Sequence, residues 1–185
     1  MSVSFDKLLF TPPSHTLRAL MDKHAAEQAE RTFIVFPESG IELSYRQLQE
    51  KMQEYSRYFQ ALGLHKGDTI SFMMGNGPTS LELFLASLYS GNISAPLNPA
   101  AGQEQNEYVL DHSDTKIVFV SDNHHAQILL AVSKLSRDIK IIICDVDRGP
   151  QWPVRAATEL QTVDLGASDD ALLMYTSGTT GRPKG

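Results

Sequence analysis

TISFMMGNGPTSLELFLASLYSGNISAPL, residues 69–97, holds two short apolar runs separated by a helical pattern. The first run, residues 69–74, lacks the regular polar alternation of a half-exposed strand, which is typical of a strand buried on both faces. Pro78 stands in the first turn of the helix that follows, where its missing N–H is not needed. Residues 93–97 form the next β-rich run. This order predicts two neighbouring parallel strands joined by a helix.

The same order continues downstream. The predicted helix and strand pairs are residues 103–112 with 117–120 and residues 123–135 with 139–144. Residues 145–168 are predicted to be a long connection that Trp152 fixes to the body of the protein, and residues 172–175 are predicted to form a further strand. The chain is therefore predicted to have an α/β fold, with a mainly parallel sheet flanked by helices.

Before residue 69 the apolar residues follow a different pattern. Residues 16–28 place apolar side chains at helical spacing, and residues 32–43 are predicted to form a hairpin. Ser44 then begins a second helix, with Gln47 three positions later completing a capping box. Gly63 follows the last apolar position of that helix, where a left-handed residue ends it.

The composition is that of an ordinary globular protein. Of 185 residues, 42% are hydrophobic and 21% are charged, which excludes a disordered or repetitive chain. Lys and Arg number 16 against 22 Asp and Glu, and the resulting charge of −6 argues against nucleic acid as a partner. The single cysteine fits a reducing compartment. Because we find neither an export signal nor an apolar run near ~20 residues, we expect a cytoplasmic protein without a membrane span.

The last eleven residues, 175–185, read YTSGTTGRPKG and directly follow an apolar run. Glycines let main-chain N–H groups approach anionic oxygens, hydroxyls add donors, and the lysine adds a positive charge. We infer a polyphosphate-binding loop that a strand delivers. Its candidate ligands are Thr176, Ser177, Gly178, Thr179, Thr180, Gly181 and Lys184. The alternative is a flexible linker, although linkers do not usually follow an apolar strand or end in Pro-Lys-Gly.

Residues 175–185 closely resemble the phosphate-binding signature of the adenylate-forming (AMP-binding) superfamily. That superfamily includes acyl-CoA and aryl-CoA synthetases and the adenylation domains of peptide synthetases. Two weaker matches stand in the expected order: LSYRQL at 43–48 resembles the early element L-[ST]-Y-x-x-L, and LYSG at 88–91 with APLNP at 95–99 resembles the second element. The Asn-Pro pair favours a CoA synthetase over a peptide-synthetase domain, where an aspartate is usual nearby.

The resemblance implies the N-terminal subdomain of an ATP-dependent carboxylate–CoA ligase. In this family a carboxylate attacks the α-phosphorus of ATP to give an acyl adenylate and pyrophosphate, and a thiol then displaces AMP. The implied cofactors are ATP, Mg²⁺ and coenzyme A, and the implied partners are a small carboxylic acid and, in place of coenzyme A, an acyl carrier protein. Residues 176–184 would hold the β- and γ-phosphates.

The family's adenine, ribose, Mg²⁺ and acyl contacts and its catalytic lysine all follow the signature. The resemblance therefore places no catalytic residue and no metal ligand in this chain. We expect residues 1–185 to be the N-terminal part of the large adenylation domain, inactive alone and prone to self-association, with the rest of that domain and the small C-terminal domain elsewhere. The alternatives are an acyl-AMP ligase, an amino- or aryl-acid adenylation domain that loads a carrier protein, and a non-catalytic α/β binding domain.

Overall fold

A computed structural model describes residues 16–176 of the chain. The helices are α1 (Leu17–Glu27), α2 (Tyr45–Ala61), α3 (Pro78–Ser90), α4 (Gln103–His112) and α5 (Asp122–Val132). The strands are β1 (Thr32–Phe36), β2 (Ile41–Ser44), β3 (Thr69–Met73), β4 (Ile93–Pro96), β5 (Thr115–Ser121), β6 (Lys140–Asp145) and β7 (Gly149–Pro150). The predicted α/β fold is confirmed.

The main sheet has five strands in the order β4-β3-β5-β6-β7. The four strands β3 to β6 pair in parallel, as the alternation of helices and strands predicted. The short antiparallel strand β7 lies inside the segment predicted to be a connection only. It forms because the Asp145 carboxylate accepts the N–H groups of Asp147 and Arg148, and Gly149, at φ 97°, returns the chain alongside β6.

The predicted strand at residues 172–175 is wrong in its extent. Leu172 forms a parallel bridge to Ser94 on the outer side of β4, and Thr176 is a further bridge residue, whereas residues 173–175 belong to no strand. Ser94 donates its N–H to Ala171 and accepts the N–H of Leu173, each at 2.9 Å. The next outward donor along β4 would be residue 96, which is a proline without an N–H, so the ladder loses one hydrogen bond there.

The two faces of the sheet carry two hydrophobic cores. Ile70 and Phe72 of β3, with Phe119 of β5, face α1, α2 and α3. Met73 and Val118 point the opposite way and pack with α4 and α5. All five residues of β3 are buried, including Ser71, whose hydroxyl forms a hydrogen bond of 2.6 Å with that of Thr115. Residues 117–120 of β5 are apolar at successive positions, as expected of a strand that is covered on both faces.

The predicted hairpin and the start of the second helix are confirmed. β1 and β2 pair antiparallel as a separate two-stranded sheet. The Ser44 hydroxyl accepts the N–H of Gln47 at 3.3 Å, while the Gln47 side chain accepts the N–H of Ser44 at 2.9 Å. Gly63 follows the helix at φ 85°, as its position predicted.

Trp152 fixes the long connection to the body, as predicted. Its indole stacks on Tyr58 with ring centroids 4.1 Å apart, and its edge contacts include Tyr55 and Phe119. Cys144 lies in the same core, and burial raises the pKa of its thiol to about 12. No helix within residues 16–176 combines the length and the apolar character that a bilayer crossing requires.

Candidate phosphate-binding site

The candidate loop continues from residues 171–176, which we call the edge segment. This segment lies beside β4, where Ser94 holds it through two backbone hydrogen bonds. Its side chains alternate: Leu173 and Tyr175 are half-buried, whereas Leu172 and Met174 are exposed. An extended segment at the edge of the sheet therefore leads directly into the glycine-rich loop.

Residues 161–170, which we call the strap, bring the chain to this edge. Arg18 donates to the carbonyl of Val163 at 2.7 Å. Lys66 forms an ion pair of 2.7 Å with Asp169 and also donates to the carbonyl of Asp164. The hydrogen bond from Lys66 holds the pKa of the Asp169 carboxyl below its usual range. These contacts tie the strap to α1 and to the turn before β3.

The strap also packs closely against the backbone of Gly91, the residue that ends α3. Gly91 ends α3 at φ 84°, a conformation that favours glycine. A Cβ at this position would lie 2.6 Å from Cδ2 of Leu165 in the strap. Glycine at position 91 therefore serves both the turn into β4 and the seating of the strap.

Tyr175 anchors the other end of the edge segment. Its hydroxyl lies 2.8 Å from Nδ1 of His112, the last residue of α4. The two rings meet edge to face, with centroids 5.7 Å apart, and the ring of Tyr108 also packs against His112, with centroids 5.2 Å apart. Burial raises the pKa of Tyr175, so its phenol stays protonated at neutral pH.

Two cavities open where β3 and β4 end. A small one of about 100 Å³ is lined by Pro96, Leu97, Asn98, Ala101, Gln105, Asn106, Val109, Tyr175 and Thr176. An open groove of about 470 Å³ shares Pro96 and Leu97 with it and is otherwise mainly apolar, with Asn76 and Ser80 among its polar residues. The first residue of the candidate ligand set, Thr176, thus borders a pocket at the carboxyl end of a parallel sheet, where ligands of such sheets commonly bind.

The structure places one of the seven predicted ligands. Thr176 is exposed at the end of the edge segment. The other six lie outside the described residues: Ser177, Gly178, Thr179, Thr180, Gly181 and Lys184. Within residues 16–176, no three His, Cys, Asp or Glu side chains come together in a way that could hold a metal ion.

Sequence reasoning missed the side chains that hold the base of the loop. Tyr108 and His112 stand four residues apart on a predicted helix, a spacing that puts two rings on one face. Nothing local indicates that Tyr175, 63 residues further on, bonds to the second ring. The contacts of Lys66 with the strap join residues about a hundred positions apart, and no local sequence pattern predicts them.

Comparison with known proteins identifies relatives over most of the chain. Residues 21–185 match the model of the AMP-binding enzyme family. The sulfoacetate–CoA ligase of Cupriavidus necator is 34% identical over 174 residues, which cover 92% of this chain and 34% of that protein. Bacitracin synthase 3 of Bacillus licheniformis is 27% identical over 94% of this chain and 3% of its own length. This chain thus spans about a third of the first relative and far less of the second.

Solved structures agree with the fold. An anthranilate CoA ligase in complex with anthranoyl-AMP superposes on 93% of this chain and 34% of its own, with a TM-score of 0.78 and 20% identity. That likeness concerns the arrangement of helices and strands, while the match of the family model extends through the signature at residues 175–185. The chain belongs to the AMP-binding enzyme family, whose members similar to it include acyl-CoA and aryl-CoA ligases.

Proposed function

We propose that this chain supplies the phosphate-binding part of an ATP-dependent carboxylate–CoA ligase that forms AMP. The observation that carries the proposal is the continuity of residues 175–185 with the edge segment. The strap, Ser94 and His112 hold that segment against a rigid sheet. A loop on such a base presents its donors in a fixed direction, which a free linker does not.

In the proposed reaction a carboxylate oxygen attacks the α-phosphorus of ATP. A new oxygen–phosphorus bond forms, the bond to the bridging oxygen breaks, and pyrophosphate leaves with the negative charge. N–H groups and hydroxyls of residues 176–181, together with Lys184, would stabilise the charge that grows on the leaving group. In the second half-reaction a thiol sulfur attacks the acyl carbon, and AMP departs.

We infer coenzyme A as the acceptor, with a carrier-protein thiol as the second candidate. Two observations favour coenzyme A: the pair Asn98-Pro99 after β4, and the higher identity to sulfoacetate–CoA ligase, at 34%, than to bacitracin synthase 3, at 27%. Mg²⁺ would accompany ATP and neutralise phosphate charge. We assign no residue of this chain to the metal.

The test is carboxylate-dependent exchange of labelled pyrophosphate into ATP by the full gene product. A panel of acids that includes sulfoacetate, anthranilate and ferulate should contain a substrate, and coenzyme A added afterwards should yield a thioester. Lys184→Ala and Gly181→Val should each slow exchange about 100-fold, since each removes stabilisation from the leaving group. Lys23→Ala, an exposed lysine on α1, is the matched control and should match the wild type.

Three results would contradict this proposal. Exchange with none of the acids would refute the ligase, and unchanged rates in both loop variants would refute the role of residues 176–184. Thioester formation on a holo carrier protein but not on coenzyme A would favour the second acceptor. We also expect residues 1–185 alone to show no exchange, because the signature supplies phosphate contacts without the groups that orient the carboxylate.

A further inference from the structure

Three aromatic rings from two distant parts of the chain meet at the base of the candidate loop. Tyr108 and His112 lie one turn apart on α4, and Tyr175 approaches His112 edge-on at an interplanar angle of 86°. The hydroxyl oxygen of Tyr175 and Nδ1 of His112 are 2.8 Å apart. Because Tyr175 directly precedes Thr176, a displacement of its backbone also displaces the first candidate ligand.

The contact between His112 and Tyr175 persists in either charge state of the imidazole. When the ring is neutral with its proton on Nε2, the phenol donates to Nδ1. When the ring is protonated, Nδ1–H donates to the phenol oxygen instead. This hydrogen bond therefore ties α4 to the edge segment whichever of the two groups is the donor.

This tie acts beyond the two backbone hydrogen bonds that Ser94 makes with the edge segment. Ser94 holds Ala171 and Leu173, and Pro96 cannot donate the next hydrogen bond of the ladder. Two residues beyond Leu173, the side chain of Tyr175 is packed against the core under α4 and α5. If the side chain of Tyr175 lost this packing, the backbone of Tyr175 and Thr176 would lose a restraint that holds it near the sheet.

We propose that His112 is a positioning residue of the phosphate loop. Through its bond to Tyr175 it fixes the point and the direction in which the loop leaves the sheet, and in this way it sets the affinity for the phosphates of ATP. His112 itself does not touch the nucleotide. The inference rests on the function proposed above.

The experiment is a double-mutant cycle on the full gene product, read out as separate KM values for ATP and for the carboxylate. His112→Phe and Tyr175→Phe keep both rings and remove the hydrogen bond. Each should raise the KM for ATP about three- to tenfold, the range set by one hydrogen bond, and leave the KM for the carboxylate unchanged. The double variant should be no worse than either single variant. His112→Asn, whose amide lies close to the position of Nδ1, should restore the KM for ATP to within twofold.

The chain offers a matched control on the opposite face of the sheet. His24 on α1 packs against the ring of Tyr45 with centroids 5.1 Å apart, much as His112 packs against Tyr108. His24→Phe should leave both KM values unchanged. If His112→Phe fails to fold, Tyr175→Phe and His112→Asn still decide the question, since the first retains the ring of residue 175 and the second retains a hydrogen-bonding group near the position of Nδ1.

The outcomes separate the two proposals. If the wild type shows no carboxylate-dependent exchange, the proposed function fails. If the wild type exchanges, Lys184→Ala is impaired, and the His112 and Tyr175 variants bind ATP like the wild type, only the positioning role is overturned. Additive effects in the double variant, or equal rises of both KM values, would likewise overturn it, because they indicate a general loss of structure.

Discussion

A buried carboxylate between α2 and α3 should make the stability of this protein depend on pH. Glu82 is 4% exposed, and its carboxylate accepts a hydrogen bond of 2.7 Å from the phenol of Tyr55. Nζ of Lys51 lies 3.8 Å from the other oxygen. Burial raises the pKa of Glu82, although the bond from Tyr55 and the charge of Lys51 act in the opposite direction.

Tyr55→Phe is the informative perturbation. The ring remains to pack against Trp152, whose centroid lies 5.2 Å away, while the donor to the carboxylate is lost. A hydrogen bond to a charged, buried acceptor contributes about 2 kcal/mol, so the variant should lose about that much free energy of unfolding at pH 7. For a chain of this size, the corresponding fall in melting temperature is about 4–8 °C.

The direction of the pKa shift of Glu82 determines how the stability of the protein changes with pH. Since the folded-state pKa of Glu82 is raised, the folded protein binds more protons than the unfolded chain between the two pKa values, and its stability falls as pH rises through that interval. Glu82→Gln removes the titrating group and should flatten the dependence above pH ~4.5. At pH 4, where the raised pKa keeps the carboxyl mostly protonated in the folded state, Tyr55→Phe should cost clearly less than at pH 7.

Urea unfolding followed by circular dichroism at pH 4 and pH 7 measures both quantities. Tyr58→Phe is the matched control: it lies on the same helix, and its ring stacks on the same Trp152 at 4.1 Å. This control should change the free energy of unfolding by less than about 0.5 kcal/mol. A loss of that small size in Tyr55→Phe at pH 7, or equal losses at the two pH values, would refute the assigned role of the buried pair.

Two further outcomes are expected. Trp152→Ala should lower the free energy of unfolding by about 3 kcal/mol, because its ring contacts Tyr58 and Phe119, whereas Trp152→Phe should lower it less. If Trp152→Ala and the wild type were equally stable in urea titrations, Trp152 would not hold the connection in place. Residues 1–185 should self-associate in light scattering at micromolar concentration through Leu172 and Met174, which are 44% and 61% exposed beside β4, and changing both to Ser should give a monomer. A monomeric wild type would contradict this second expectation.

The parts of the fold that local rules dictate were predictable. The apolar runs at residues 72–74 and 117–120 indicated strands covered on both faces, and the pair Ser44 and Gln47 marked the start of α2. The edges of the sheet were not predictable in the same way. β7 has only two residues and depends on the turn at Asp145, and the predicted strand after Ala171 is reduced to isolated bridges beside a neighbour that contains a proline.

In the candidate site, too, the features set by neighbouring residues were predictable and those set by distant residues were not. Its ligands were inferred from the chemistry of eleven consecutive residues, because glycine, hydroxyl and lysine side chains at close spacing suit a polyphosphate. The groups that orient those residues come from elsewhere in the chain, as the bond between His112 and Tyr175 illustrates. Sequence spacing reports which face of α4 a ring occupies, but it does not report what packs on that face.

The base of the loop is held from three independent directions. Lys66 and Arg18 hold the strap before it, Ser94 holds Ala171 and Leu173 by backbone hydrogen bonds, and His112 holds Tyr175 beyond those bonds. These contacts restrain different residues of one short segment independently, so the loss of one leaves the others to limit its displacement. A single deletion is therefore expected to weaken phosphate binding only several-fold, whereas the loss of Lys184 would remove the positive charge that we propose for the phosphates. Positioning residues and ligands of the same loop should thus differ in the size of their effects, even though both act on ATP.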